Sequence, residues 1–337
     1  MSIRKVIIIG AGPCGLSAAI ECEKAGFEVK VIERGNIVHA LYRYPTHQQF
    51  FSTSEKLAIG DIPFYSTERK PKRNEALVYY RKVVEEYGLT IEAYEEVTQI
   101  NRLGIHDFKV TSVKKNGQTV EREAHAVIVA TGYYDSPNYM HIPGEDQKHV
   151  FHYFHEAHPF YNQKVAVIGG KNSAIDAALE LEKAGAEVIV YCRYENYSSS
   201  IKPWILPDFE SLVRQEKIKM HFETEIHEIG EDTISVSDAT GAKRNDRADF
   251  VFAMTGYHPD HSFIRSMGVE VDMETGRPVF NSETMETNVD GIYIAGVIAA
   301  GNNANEIFIE NGRHHGGLIA SHLVSSFMTD SDWEDKK

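Results

Sequence analysis

Cysteine is scarce in this chain: Cys14, Cys22 and Cys192 are its three. So few thiols cannot build a disulfide scaffold, and a reducing cytoplasm is the expected setting. No Cys-x-x-Cys pair occurs, which excludes a vicinal dithiol relay within the chain. Cations are outnumbered, 35 Lys and Arg against 49 Asp and Glu, and the net charge of -14 argues against a nucleic-acid surface. Long uncharged apolar runs are missing too, so no membrane span is expected, and no secretory leader is read ahead of the first strand. No metal site is expected.

What the chain does have is glycine in a particular arrangement. Residues 5–9, Lys5-Val6-Ile7-Ile8-Ile9, are an apolar β-branched run suited to a strand buried on both faces. The turn Gly10-Ala11-Gly12-Pro13-Cys14-Gly15 then opens a helix with Leu16, Ala19 and Ile20 at core spacing and Gly26 as its stop. Residues 29–32 return as a strand and deliver Glu33 eighteen residues past Gly15. Strand, G-x-G-x-x-G, helix, strand and acid at that distance make a dinucleotide-binding fingerprint. Gly10 makes the tight turn, Gly12 with Pro13 beside it lets the backbone close on a pyrophosphate, and Gly15 lets helix pack on strand. Helix amides hold the phosphates, and Glu33 accepts from ribose hydroxyls.

Residues 36–71 resist assignment to regular structure. Their many aromatic and His residues favour a cofactor or substrate wall, in which Gln48, Ser52 and Thr53 offer polar contacts to a flavin. A helix is expected over 75–87, closed by Gly88, followed by strands at 89–93 and 108–113 and a hairpin turn at Asn116-Gly117. The strand at 126–130 runs into Ala130-Thr131-Gly132, a small-residue terminus that lets a backbone approach a nucleotide.

After a linker rich in Pro and aromatics the opening pattern returns, with a strand at 164–168, the turn Gly169-Gly170-Lys171-Asn172-Ser173-Ala174 into a helix, and a strand at 187–191. Without a gap, Gly169 falls on Gly10, Ala174 on Gly15 and Arg193 on Arg34. The shared Glu-Lys-Ala-Gly at 23–26 and 182–185 fixes the register. Two such units bind two nucleotides, and 337 residues suit two domains. Cys192 stands where Glu33 stood and Arg193 follows, so the ribose acid is replaced by a base able to pair with a 2′-phosphate, which points to NADPH. Lys171, at the second glycine's place, adds a charged phosphate contact. Further strands are expected at 218–222, 233–236, 250–254 and 291–296, then a helix through 307–324 and a frayed acidic tail after Asp330.

The blocks GAGPCG, ATG at Ala130, GGKNSA, TGY at Thr255 and GIYIAG near the end resemble the low-molecular-weight thioredoxin-reductase group of flavoproteins. Cys14 and the stretch AGVIAAGNNANEIFIENG at 295–312 are similar to the YpdA-type bacillithiol disulfide reductases. That resemblance implies an α/β fold of two Rossmann-like dinucleotide-binding domains, an NADPH domain at 136–261 inserted into an FAD domain at 1–135 and 262–337. It places FAD on Gly10, Gly12, Gly15 and Glu33. Gly296 ends the strand that carries Gly-Asp in the relatives, but Val297 follows it here and the carboxylate is missing. A helix start spanning Asn305, Ile307 and Phe308 would aim its amides at the flavin.

The implied reaction passes electrons from NADPH through FAD to a small-molecule disulfide, with Cys14 as the candidate redox thiol. Its place in the first turn of a helix favours a thiolate, although a small residue beside the cofactor would satisfy the position equally. Arg313, His314, His315, Arg43 and His47 are candidates for holding substrate carboxylates, and a homo-oligomer is expected. A ferredoxin or flavodoxin reductase of the same architecture, a flavin monooxygenase, and a redox sensor without turnover remain alternatives.

Overall fold

A computed structural model describes residues 4–303 and 305–334. In chain order it opens with β1 (Lys5–Ile9), α1 (Pro13–Lys24) and β2 (Glu28–Glu33), followed by two single turns, α2 (His39–Tyr42) and α3 (Ser54–Leu57), and by α4 (Arg73–Tyr87). Strands β3 (Ile91–Ala93), β4 (Glu95–Gly104), β5 (Asp107–Lys114), β6 (Thr119–Ala124) and β7 (Ala126–Val129) come next. The repeat then brings β8 (Val150–Phe151), β9 (Lys164–Ile168), α5 (Asn172–Lys183), β10 (Glu187–Tyr191), α6 (Leu206–Arg214), β11 (Ile218–His221), β12 (Glu225–Ile229), β13 (Thr233–Ser237), β14 (Lys243–Arg247) and β15 (Phe250–Ala253). The chain finishes with α7 (His261–Ser266), β16 (Ile292–Ile294), α8 (Ile309–Gly312) and α9 (His315–Glu334).

Two compact units result, one of residues 4–42, 47–136 and 257–334, the other of 43–46 and 137–256. Each contains a five-stranded parallel sheet and a three-stranded antiparallel one. In the first unit the parallel order is β16-β7-β1-β2-β3; in the second it is β11-β10-β9-β15-β8. Strands β1, β2, β3 and β7 correspond to β9, β10, β11 and β15. The fifth, edge strand comes after the others in the first unit and before them in the second.

The breaks fall a few residues from those read in the sequence, for local reasons. Tyr257 packs against Tyr134 with centroids 4.6 Å apart, and the His258 amide donates to the Ser136 carbonyl at 2.9 Å, so 257–261 stay with the first unit. The Arg43 guanidinium lies 4.0 Å from the centre of the Tyr153 ring, and the Thr46 amide donates to His155 O at 2.9 Å, so residues 43–46 join the second unit.

The parallel strands read as near-continuous apolar runs because both faces are covered. In β9, Val165 and Val167 join the cluster under α5 and α6, whereas Ala166 and Ile168 face the cluster built on Ile229, Ile234 and Val236. Helix α1 buries Leu16, Ala19 and Ile20 completely, each worth about 1.5–3 kcal/mol for the larger two. A Cβ on Gly316 would meet Ala18 Cα at 2.6 Å, so α9 can approach α1 only through glycine.

The antiparallel sheets were the least legible elements. Strands β4, β12 and β14 carry charges on both faces, such as Lys243-Arg244-Asn245-Asp246-Arg247, and escaped the apolar pattern. The single helix expected over 307–324 is two, α8 and α9, and α9 continues through Asp330 to Glu334, where fraying was expected. Residues 335–337 of that tail lie outside the described residues.

Candidate functional site

The first glycine turn has the geometry its residues call for. Gly10 sits at φ 105°, where a Cβ would come within 2.5 Å of Ala130 O, and its amide donates to Ile32 O at 2.9 Å. Thr131 N lies 3.3 Å from the same point, so Gly10 and the start of the Thr131-Gly132 step are neighbours. A Cβ on Gly15 would run into the Gly10 carbonyl, which makes glycine obligatory there. Gly12 is different. It caps α1 with no side-chain hydrogen bond, Pro13 follows it, and a Cβ would meet no atom within 4 Å. Bare helix amides facing open space suit a phosphate, and the residues present therefore fit a dinucleotide.

Glu33 serves the turn itself. Its Oε2 accepts from the Ala11 amide at 2.8 Å and its Oε1 from the Gly35 amide at 2.7 Å. Burial raises its pKa, and the two amide bonds only partly offset that. A carboxylate keeps further lone pairs for ribose hydroxyls, but its first task is to brace the loop. Ala11 O in turn accepts from the amide of Val38, a buried β-branched residue held at φ 48°.

Cys14 lies in the first turn of α1, in surroundings opposite to those expected. A Cβ on Gly296 would come 3.1 Å from its Sγ, and one on Gly312 would come 2.8 Å away, so the sulfur fills the gap between the end of β16 and α8. Burial pushes the thiol up to about 12, and the Glu310 carboxylate pushes the same way. Both effects favour the thiol over the thiolate, against the direction in which the dipole of α1 acts.

Other expected contacts were also spent elsewhere. The Phe308 amide is taken by Asn311 Oδ1 at 2.7 Å and the Asn305 amide by Asn303 Oδ1 at 3.3 Å, so these amides do not stand ready for a flavin; Ile307 packs beside Gly312. The Gln48 side-chain amide donates to Gln49 O at 2.7 Å, and the Gln48 backbone carbonyl accepts from the Arg73 amide at the start of α4. Ser52 donates to Glu310, and the Arg313 guanidinium donates to Glu55 O at 2.9 Å and to Ala58 O. Arg313 is thus a strut between α3 and α8. His315 Nδ1 accepts from the Gly296 amide at 3.1 Å, and burial, helped by His314, lowers its pKa to about 4. Sequence reading missed Glu310, for which it held no signal, and missed that His315 is neutral.

In the second unit the turn repeats with altered chemistry. Gly169, at φ 144°, packs on Met254 O as Gly10 packs on Ala130 O, and its amide donates to Tyr191 O at 2.9 Å. Ala174, fully buried, takes the place of Gly15. Cys192 is buried with its sulfur where a Cβ on Gly170 would go, so no acid braces this loop. Lys171 caps α5 and is exposed, as is Ser173. Asn172 is committed to the chain: its Nδ2 donates to Ser200 O and its Oδ1 accepts from the Lys202 amide, both at 2.9 Å, which ties the 198–202 loop to the helix start. Arg193 is exposed and leans on Tyr194, with Nη2 donating to the phenol at 2.9 Å.

Residues 7–296 match the family described as pyridine nucleotide-disulphide oxidoreductase. The chain belongs to this family. Along 320 residues, 95% of this chain and 97% of the relative, it is 55% identical to bacilliredoxin reductase Bdr of Bacillus subtilis (strain 168). The structure of bacillithiol disulfide reductase Bdr (YpdA) from Bacillus cereus superposes with a TM-score of 0.94 at 56% identity, covering 96% of this chain and 100% of that one. Its namesake from Staphylococcus aureus gives 0.91 at 51% identity, over 97% and 99%. Thioredoxin reductase of T. acidophilum, 21% identical with a TM-score of 0.74 over 96% and 99%, shares the fold. The protein is an oxidoreductase of this class, built for a flavin and a pyridine nucleotide. Among the described residues no helix is long and apolar enough to cross a membrane, and no group of three or more His, Cys, Asp and Glu is placed to hold a metal ion.

Proposed function

We propose that the protein is an NADPH-dependent flavoprotein that reduces a low-molecular-weight thiol disulfide, with FAD on the first unit and NADPH on the second. The observation that carries the reading is the full-length identity of 51–56% to proteins named as bacillithiol disulfide reductases, which makes bacillithiol disulfide the proposed substrate. A cytoplasmic, homo-oligomeric enzyme belongs to the same reading.

The first unit would hold FAD through Gly10, Gly12 and Gly15, with Thr131-Gly132 and Gly296 lining the same end of the sheet and Glu33 near the ribose. On the second, Gly169, Lys171, Ser173 and Ala174 would form the phosphate turn, and Arg193 would meet a 2′-phosphate. Bound there, the two cofactors would supply hydride transfer and a two-electron store. With no Cys-x-x-Cys pair in the chain, disulfide exchange falls to a single thiol, and Cys14, packed against Gly296 and Gly312, is the one at the flavin-side fingerprint. Cys14 supplies the attacking sulfur.

Replacing Cys14 with Ser tests this. FAD should remain bound and NADPH-driven disulfide reduction should stop; undiminished turnover would remove Cys14 from the reaction. A second reading has one observation behind it, the name bacilliredoxin reductase carried by the Bacillus subtilis relative. On that reading the acceptor disulfide sits on a small protein, and faster NADPH oxidation with such a protein than with the free disulfide would favour it.

A further inference from the structure

Each unit fastens the loop after its second parallel strand onto the glycine turn, and the two do so from different elements. In the first, the fastening group is an anion at the end of β2: Glu33 accepts from the Ala11 and Gly35 amides, and the Val38 amide adds a bond to Ala11 O at 2.9 Å. In the second, Cys192 fills the place of that acid, and the fastening comes from Asn172, the first residue of α5. Its side chain uses both ends of the amide, Nδ2 donating to Ser200 O and Oδ1 accepting from the Lys202 amide, each at 2.9 Å. Pro13 holds the corresponding position in α1 and has no polar side chain to do this.

Between the two bonded residues lies Ile201, buried in the cluster under α5. Apolar burial is non-directional, so Ile201 holds the loop down without setting how its peptides face. The Asn172 bonds supply that direction on both sides of it. Within the loop, Ser198 Oγ lies 2.8 Å from Ser200 Oγ and the Ile201 amide donates to Ser198 O at 3.1 Å. The backbone of half-buried Lys202 is thereby fixed at the start of α5, next to exposed Lys171.

We infer that Asn172 is a positioning residue for nucleotide choice, a neutral brace that fixes Lys202 at the phosphate turn so that Lys202 joins Arg193 in holding a 2′-phosphate. This rests on the reading that the second unit binds NADPH. Charge is the reason for the amide. A carboxylate brace suits ribose hydroxyls and repels a phosphate. An amide makes bonds as short and adds no negative charge to a turn that carries Lys171, Arg193 and Lys202. Glu195, the acid of this stretch, is exposed.

The test is equilibrium binding of NADP⁺ and NAD⁺ to the flavin-loaded protein by titration calorimetry. These two differ only in the 2′-phosphate and do not reduce the flavin, so no turnover enters the readout. Wild type should bind NADP⁺ about 100-fold more tightly than NAD⁺, the worth of two charged hydrogen bonds. Asn172→Ala should weaken NADP⁺ about tenfold and leave NAD⁺ within about twofold. Lys202→Ala should do the same, and the double variant should be no weaker than Lys202→Ala alone, because the brace then has no cation to place. Equal loss of both nucleotides by folded Asn172→Ala overturns the inference, and so does a Lys202→Ala protein that keeps the wild-type affinity for NADP⁺. Failure of the NADPH reading shows separately, as a wild-type protein that binds NAD⁺ as tightly as NADP⁺, and takes the inference with it.

Discussion

The sulfur of Cys192 occupies the space beneath Gly170 that a Cβ at position 170 would take, whereas the corresponding loop of the first unit closes over the carboxylate of Glu33. With no acid there to repel it, a 2′-phosphate can reach exposed Arg193. NADPH should therefore be preferred to NADH. Arg193→Ala should raise the KM for NADPH roughly 10- to 100-fold, the worth of a charged hydrogen bond, and leave that for NADH nearly unchanged. Steady-state kinetics with both nucleotides checks this.

Gly12 and Gly15 should respond in opposite ways to the same substitution. Gly15→Ala drives a methyl into the Gly10 carbonyl, and should cost the first unit its fold along with its flavin. Gly12→Ala meets no atom and sits at φ -72°, so the cofactor-free protein should be unchanged or stabilised by about 0.4–1 kcal/mol. It should still lose FAD affinity, because the methyl stands where a pyrophosphate would approach. Thermal melts and flavin content of the two variants separate the effects.

Acid should weaken the first unit through His315. Its folded pKa of about 4 lies below the ordinary 6.5, so the unfolded chain binds the proton more tightly. The stability contributed by the neutral ring is complete above pH 6.5 and is lost as pH falls toward 4, by at most about 3 kcal/mol. His315→Asn offers an oxygen in place of Nδ1 and does not titrate. Denaturant melts between pH 4 and 7 should show a shallower slope for this variant.

Glu95, 2% exposed in β4, is held by Ser112 of the adjacent β5 and by Arg122 of β6 beyond it. Burial alone would raise its pKa, but these bonds outweigh it and the carboxyl stays ionised. Arg122→Met leaves that charge buried and unpaired, and should cost roughly 3–5 kcal/mol. The double variant with Glu95→Leu should recover most of the loss, as equilibrium unfolding would show.

Legibility followed locality. Every parallel strand that carries a glycine turn, and the fingerprints themselves, could be read because burial on both faces leaves an unbroken apolar run and the turn demands glycine at fixed offsets. The half-exposed strands β4, β12 and β14 could not, since their charges hide the alternation. The environment of Cys14 was beyond reach for another reason: Gly296, Glu310 and Gly312 lie nearly three hundred residues away in sequence, and the first helical turn seen alone suggested the opposite charge. Asn172 shows the same limit. Its place in the turn was clear, but the 198–202 loop that claims its side chain was not.

The central claim is that electrons taken from NADPH leave by way of a small thiol disulfide. Its most direct test is anaerobic: reduce the flavin-loaded protein with one equivalent of NADPH, add bacillithiol disulfide, and follow flavin absorbance with glutathione disulfide as control. Rapid reoxidation by bacillithiol disulfide and slow reoxidation by the control is the predicted result. A flavin that reduces normally and then stays reduced with both disulfides would contradict the account.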